Sequence, residues 1–291
     1  MTQTTGRRLL VLGANGMLGH TVLRWFASRP GYEVFGSVRG DAAASQLQVV
    51  APQAQILSHV EGSDLPALRT LFEKVQPDCV INCIGVVKQL AGAGDPATAI
   101  PINAVLPHRL ARLSKACGAR LINIGTDCVF SGARGRYVEG DKPDAQDLYG
   151  RTKLMGEVDY EHAITLRTSI IGHELNTDHG LIGWFLNQRE PVRGFASAIF
   201  SALPTVELAR VIEQYVIPHP ELHGTYHVAG PAISKHELLK LVADAYGRDG
   251  PAQADHELVI DRSLNGERFR AATGYESPQW PDLISRMREF G

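Results

Sequence analysis

The sequence predicts an α/β protein built on a doubly wound parallel sheet, with a smaller C-terminal α/β lobe. Three observations carry this. Short β-branched runs alternate with longer amphipathic segments through the first half of the 291 residues, the order that a parallel sheet with crossover helices needs. Runs such as VINCI and RLINI are apolar at both alternating positions, as strands covered on both faces must be. The first run leads straight into the glycine-spaced turn GANGMLG, in the strand-turn-helix setting where such sheets take dinucleotide phosphates.

In chain order, RRLLVLG reads as a strand and a helix starts at about Met17. YEVFGSV is the second strand, and QILSHV the third, followed by the helix DLPALRTLFEKV. DCVINCIG and a helix through ARLSKACG come next, then the strand ARLINIG, a helix around Tyr149 and the strand HAITLRTSI. After about Ser169 the rhythm loosens. GLIGWFLNQ and VELARVIEQYV read as helices, PVRGFASAIFSALPT as a segment between them, and GTYHVAG as a strand. SKHELLKLVADAYG and DLISRMREF close the chain as helices. Ser234 and Glu237 form the S-x-x-E capping-box signature and fix one helix start. The expected division is a dinucleotide-binding Rossmann domain over 1–170 and a substrate lobe over 171–291, with room for the chain to cross between them.

Composition narrows the class of partner. The 29 basic and 31 acidic residues leave a formal charge of -2, and no basic run is long enough for a nucleic-acid or membrane surface. No apolar stretch approaches the roughly 20 residues of a membrane span. MTQTTGRRLLVLG lacks the apolar core and cleavage site of a signal peptide, so the expectation is a cytoplasmic protein with a small-molecule partner. Cys79, Cys83, Cys117 and Cys128 form no CxxC, and the first two sit in an apolar run as small hydrophobes. His219, His223 and His227 recur every fourth residue, but Pro218, Pro220 and Gly224 prevent the helix that would align them. GHELN has threonine at 177 where HExxH needs histidine. No metal site is expected.

Three segments carry the candidate chemistry. Gly13, Asn15, Gly16, Met17, Leu18 and Gly19 form the turn and first helical positions, where bare backbone approaches a pyrophosphate and the helix N-terminus faces its charge. The second strand ends in Ser37 and Arg39 where an NAD site places an acid, which favours a 2'-phosphate and hence NADPH over NADH; an ordinary surface arginine is the other reading. Asp64, with Leu65 behind it, either contacts adenine or caps the following helix. Beyond the fifth strand, Thr126 and Asp127 stand at the carboxyl end of the sheet, where ligands bind. Tyr149 and Lys153 are four residues apart on a helix and share a face, setting a phenol beside an ammonium.

Taken together, GANGMLG, DCVINCIG, TDCVFSG with GRYVEGDKP, and YGRTK resemble the extended short-chain dehydrogenase/reductase family, most closely its dTDP-4-dehydrorhamnose reductase branch. The similarity covers about the first 170 positions, and LPTVELARVI and GTYHVAG extend it weakly. It implies a catalytic trio in which Tyr149 is the acid, Lys153 lowers its pKa and holds the cofactor ribose, and Thr126 hydrogen-bonds the substrate oxygen. Cys83, Ile84 and Gly85, with Asn82 and Asn103, match cofactor-side or helix-anchoring positions. Asp127 and Cys128 fall on the substrate side, and the fold analogy places a nucleoside diphosphate near Trp184, Phe185, Arg193 and Phe195. Cys128 stands where the branch has tyrosine, and VVKQLAGAGDP replaces its acidic stretch. The resemblance implies an NADPH-dependent reductase of a nucleotide-linked 4-keto-6-deoxy sugar. It leaves open an epimerase or 4,6-dehydratase, a homodimer, and a non-catalytic dinucleotide-binding role like that of the methionine adenosyltransferase regulatory subunits.

Overall fold

The computed structural model describes residues 6–88, 94–190, 192–248 and 253–291. The first five residues of MTQTTGRRLLVLG, residues 89–93 of VVKQLAGAGDP and Pro191 of PVRGF lie outside them. The first half contains β1 (Arg7–Leu12), α1 (Met17–Ala27), β2 (Tyr32–Ser37), α2 (Asp41–Val50), β3 (Gln55–Leu57), α3 (Leu65–Val75) and β4 (Cys79–Asn82). A short α4 (Pro96–Ala99) runs through a π-helical segment, Ile100–Val105, into α5 (Leu106–Cys117). β5 (Arg120–Ile124), α6 (Leu148–Met155) and β6 (Ala163–Arg167) follow. The later elements are β7 (Ile170–Ile171), α7 (Leu181–Leu186), β8 (Arg193–Phe195), β9 (Ala198–Phe200), β10 (Leu203–Pro204), α8 (Thr205–Val211) and β11 (Gly224–His227). The chain ends with β12 (Ile233–Ser234), α9 (Lys235–Tyr246), β13 (Gln253–Asp255), β14 (Ile260–Asp261), α10 (Glu267–Thr273) and α11 (Trp280–Phe290).

Seven strands form a parallel sheet in the order β11-β6-β5-β4-β1-β2-β3. The apolar character of the strands at both parities has a direct cause. Leu9 and Val11 pack into one core with α1, α8, α9 and α11, whereas Leu10 and Leu12 pack into a second core with α3 and α5. Strand order reverses between β1 and β4, so a crevice opens beyond their carboxyl ends, where ligands of open α/β sheets bind.

Two features were not legible. α2 buries only Leu47 and exposes Val49, so its apolar residues mark no helical stripe. β11, read from GTYHVAG as a strand, joins the main sheet beside β6, a pairing about 60 residues away that no local pattern encodes. The capping box at α9 forms as expected: Glu237 N donates to Ser234 Oγ at 3.1 Å and Ser234 N donates to Glu237 Oε2 at 3.3 Å. Beside the sheet stand a three-stranded sheet β12-β9-β14 and two strand pairs, β8 with β13 and β7 with β10. Fully buried Glu207 on α8 accepts from Arg210, Arg286 and the Tyr275 hydroxyl, tying α8 to α11.

Candidate active site

At the end of β1 the chain turns through Gly13 with φ of 72°, a left-handed conformation that favours glycine. A side chain on Gly13 would come within 2.9 Å of Ile84, and one on Gly19 would run into the Gly13 carbonyl. Helix α1 can therefore start against the turn only with glycine at 19. Gly16 caps α1 without a side-chain partner for the first amides. Asn15 and Met17 are half-buried, while Leu18 is in the core, so Leu18 offers the crevice its backbone alone. Ser37 Oγ, at the end of β2, is buried without a hydrogen-bond partner among the described residues, and Arg39 stands exposed two positions on. The bare glycine cradle and this orphaned hydroxyl fit a dinucleotide whose ribose lies beyond β2. Asp64 N-caps α3 by accepting from Ala67 N at 3.0 Å, and half-buried Leu65 begins that helix.

Past β4, Cys83, Ile84 and Gly85 are half-buried at the carboxyl end of that strand. Ile84 N donates to Asn82 Oδ1 at 3.2 Å. Asn103 accepts from Val86 N at 2.9 Å and donates to Val86 O at 3.0 Å. Asn82 Nδ2 donates to Asn123 Oδ1 at 2.9 Å, and Asn123 Nδ2 to Gly156 O at 3.2 Å. This buried amide chain fastens the end of α6 to β5 and β4. Asn123 went unrecognised in the sequence because RLINI reads simply as a strand.

Thr126 opens a turn of 3₁₀ helix, Asp127–Val129, and accepts from Cys128 N at 3.1 Å. Helix α6 approaches that turn so closely that a side chain on Gly150 would collide with the Cys128 carbonyl, which accounts for the glycine directly after Tyr149. Asp147 caps α6, accepting from Gly150 N at 2.8 Å. Tyr149 is half-buried and Lys153 buried, its Nζ donating to Ile124 O at 2.7 Å. Burial raises the Tyr149 phenol well above the usual range; Cys128, Asp127 and Asp147 push the same way, and a hydrogen bond with Thr126 opposes them. Burial also lowers Lys153 to about 8, against the carboxylate of Glu157 and the Cys83 thiol. Buried Asp127 is shifted up by desolvation, and Cys128 is pushed up to about 11 by the same cause.

Sequence reading missed three cations at this site. Lys88 Nζ bonds Asp147 at 2.8 Å and lies 5.6 Å from the centre of the Tyr149 ring. Arg262 Nε donates to Phe130 O at 2.9 Å. Lys235 is half-buried at the first position of α9, with its pKa lowered by burial and raised by Asp127 and Cys128. Trp184 lies on α7 and Arg193 on β8, the latter largely exposed and 3.8 Å from Asp255. No hydrogen bond, ion pair or ring contact among the described residues joins either to Thr126, Tyr149 or Lys153. His219 pairs with Glu221 and His223 with Asp159, both at the surface, while buried His227 meets the Tyr137 carbonyl.

The doubly wound sheet, with a glycine turn after β1 and the TDCVF and YGRTK motifs beyond β5 and on α6, defines an extended short-chain dehydrogenase/reductase. Within that class the chain belongs to the family of the RmlD substrate binding domain, whose family model matches residues 7–280. The mouse protein named methionine adenosyltransferase 2 subunit beta is 27% identical over 327 residues, spanning 96% of this chain and 89% of that one. The dTDP-4-dehydrorhamnose reductase of Streptomyces griseus is 32% identical over 151 residues, 52% of this chain and 43% of its own. A crystal structure of dTDP-4-dehydrorhamnose reductase from Bacillus anthracis in complex with NADP shares the fold, with a TM-score of 0.80 over 99% of both chains at 20% identity.

Proposed function

We propose that the protein is an NADPH-dependent reductase of a nucleoside-diphosphate 4-keto-6-deoxy sugar. The observation that carries this reading is the meeting of Thr126, Tyr149 and Lys153 beside a glycine cradle at the strand-order reversal. When bound, the reduced nicotinamide supplies a hydride to the carbonyl carbon. Tyr149 then gives its proton to the carbonyl oxygen, and Thr126 donates a hydrogen bond to the same oxygen. The burial that raises the phenol's pKa keeps that proton in place at neutral pH. The Lys153 ammonium, held at the Ile124 carbonyl, would hold the cofactor ribose and would add positive charge as the oxygen develops negative charge.

Elimination needs a base beside Thr126 and Asp127. Cys128 occupies that place with its thiol pushed up to about 11 by burial, so it stays protonated at neutral pH, which weighs against a 4,6-dehydratase. A second reading, a regulatory subunit that binds a dinucleotide without turnover, is favoured by the similarity to methionine adenosyltransferase 2 subunit beta along 96% of the chain. Freshly generated dTDP- and UDP-linked 4-keto-6-deoxy sugars separate these readings. The reductase oxidises one NADPH for each sugar reduced. Water loss or isomerisation without net oxidation identifies the dehydratase or epimerase. Tight NADPH binding with no reaction across the panel identifies the regulator.

The cofactor preference has its own test. Exposed Arg39 follows the end of β2, where a cation would meet a 2'-phosphate, and a charge-assisted hydrogen bond is worth roughly 1.5–3 kcal/mol. Titration is expected to show NADPH binding about one to two decades tighter than NADH, with Arg39→Ala removing most of the difference. Equal affinities in the wild-type protein would contradict it.

A further inference from the structure

Tyr149 stands on α6, a helix of 8 residues, and two side chains join that helix to the loop leaving β4. Inside, the Asn103 amide accepts from Val86 N at 2.9 Å and donates to Val86 O at 3.0 Å, and its Nδ2 also reaches Thr152 Oγ1 of α6 at 3.3 Å. Two residues past Val86, at the surface, Lys88 Nζ donates to Asp147 Oδ2 at 2.8 Å. Asn103 thus pins the base of the loop and Lys88 its outer end.

An ion pair as exposed as this one, 38% for Lys88 and 45% for Asp147, contributes little by itself, because water and salt screen it. Its weight here comes from what each partner also holds. Asp147 is the N-cap of α6, and its other oxygen, Oδ1, accepts from Gly150 N at 2.8 Å, so both carboxylate oxygens are engaged and the group is fixed in orientation. The same ammonium lies 5.6 Å from the centre of the Tyr149 ring, within the roughly 6 Å over which a cation is attracted to an aromatic face. The first turn of α6 is therefore held at two contacts: the Cys128 carbonyl, against which Gly150 packs, and the Lys88 cation.

We propose that Lys88 is a positioning residue: bonded to the cap of α6 and set over the Tyr149 ring, it fixes the phenol relative to the loop beyond β4. Proton transfer requires the phenol within hydrogen-bond reach of the carbonyl oxygen, and small displacements of a reacting group are costly in rate. Lys88 is distinct in this from Lys153, which is buried and bonded to the Ile124 carbonyl. That Tyr149 is the acid rests on the reductase reading; that Lys88 holds its ring does not.

A double-mutant cycle with two readouts tests this. In ¹³C-tyrosine-labelled protein the Tyr149 Cζ resonance, assigned by its loss in Tyr149→Phe, reports the ring without cofactor or substrate. Steady-state reduction of a dTDP-linked 4-keto-6-deoxy sugar reports kcat and KM. Lys88→Met removes the charge but keeps an unbranched side chain, whereas Asp147→Asn keeps a good helix cap and the lysine's charge but breaks the ion pair. Each is expected to shift and broaden the resonance and to lower kcat by about three- to thirtyfold, as much as an exposed ion pair and one cation–ring contact together can supply. KM and NADPH affinity should stay nearly unchanged. The double variant should be no worse than the poorer single one, since both remove the same interaction, and Lys88→Arg, which still meets the carboxylate, should restore most of kcat. An unmoved Tyr149 resonance in Lys88→Met, additive losses in the double variant, or full kcat in variants of a protein that does reduce the sugar would each overturn the proposal. A resonance displaced in the expected pattern in a protein that reduces no sugar would instead remove the reductase reading and leave the hold of Lys88 on the ring standing.

Discussion

Tyr149→Phe is expected to lower kcat by about 10²–10⁴-fold, the range that general acid catalysis supplies, with NADPH affinity nearly unchanged. The ring stays, so the packing of α6 against the Thr126 turn stays, and only the transferable proton goes. The raised pKa makes the phenol a reluctant base in the protein alone. Activity in the reducing direction is therefore expected to show no loss as pH rises that is traceable to Tyr149 below the range of an ordinary phenol. Stopped-flow reduction with a verified 4-keto sugar nucleotide checks both points. Retention of more than about a tenth of the wild-type rate would assign the proton to another group.

Lys153→Ala should damage cofactor binding and rate together. The lost ammonium removes a charge-assisted hydrogen bond worth roughly 1.5–3 kcal/mol, about one to two decades in NADPH affinity, and the positive charge near the developing alkoxide goes with it. The sign of the pH dependence follows from a lysine lowered to about 8. Its charge is present below that pH and lost above it, so wild-type NADPH affinity should decline as pH rises through 8 while the alanine variant stays flat. Fluorescence titration across that window checks this, and parallel profiles would remove Lys153 from the cofactor side.

The parts of the site visible in the sequence were those with local physical signatures. The glycine turn follows its strand at once. Asp64 and Ser234 are caps, and they cap helices here. Tyr149 and Lys153 declare a shared face by spacing alone. What stayed hidden depends on pairing across the chain. Lys235 and Arg262 reach the neighbourhood of Cys128 from segments more than 100 residues away, through β12 and β14 of a small sheet that no run of residues announces. Glu157 looks like a surface acid after a helix until β6 brings Arg167 against it. The buried amide of Asn123, which accepts from Asn82, is indistinguishable in a string of strand residues from a turn former.

The most direct test of the reductase account follows deuterium from nicotinamide-deuterated NADPH, the deuterium on the transferable face, into a dTDP-linked 4-keto-6-deoxy sugar in ordinary water. The account predicts a product heavier by one deuterium and one hydrogen, with the deuterium on the former carbonyl carbon and one NADPH consumed per sugar. A product with no deuterium, or unconsumed NADPH bound beside intact sugar, would contradict it.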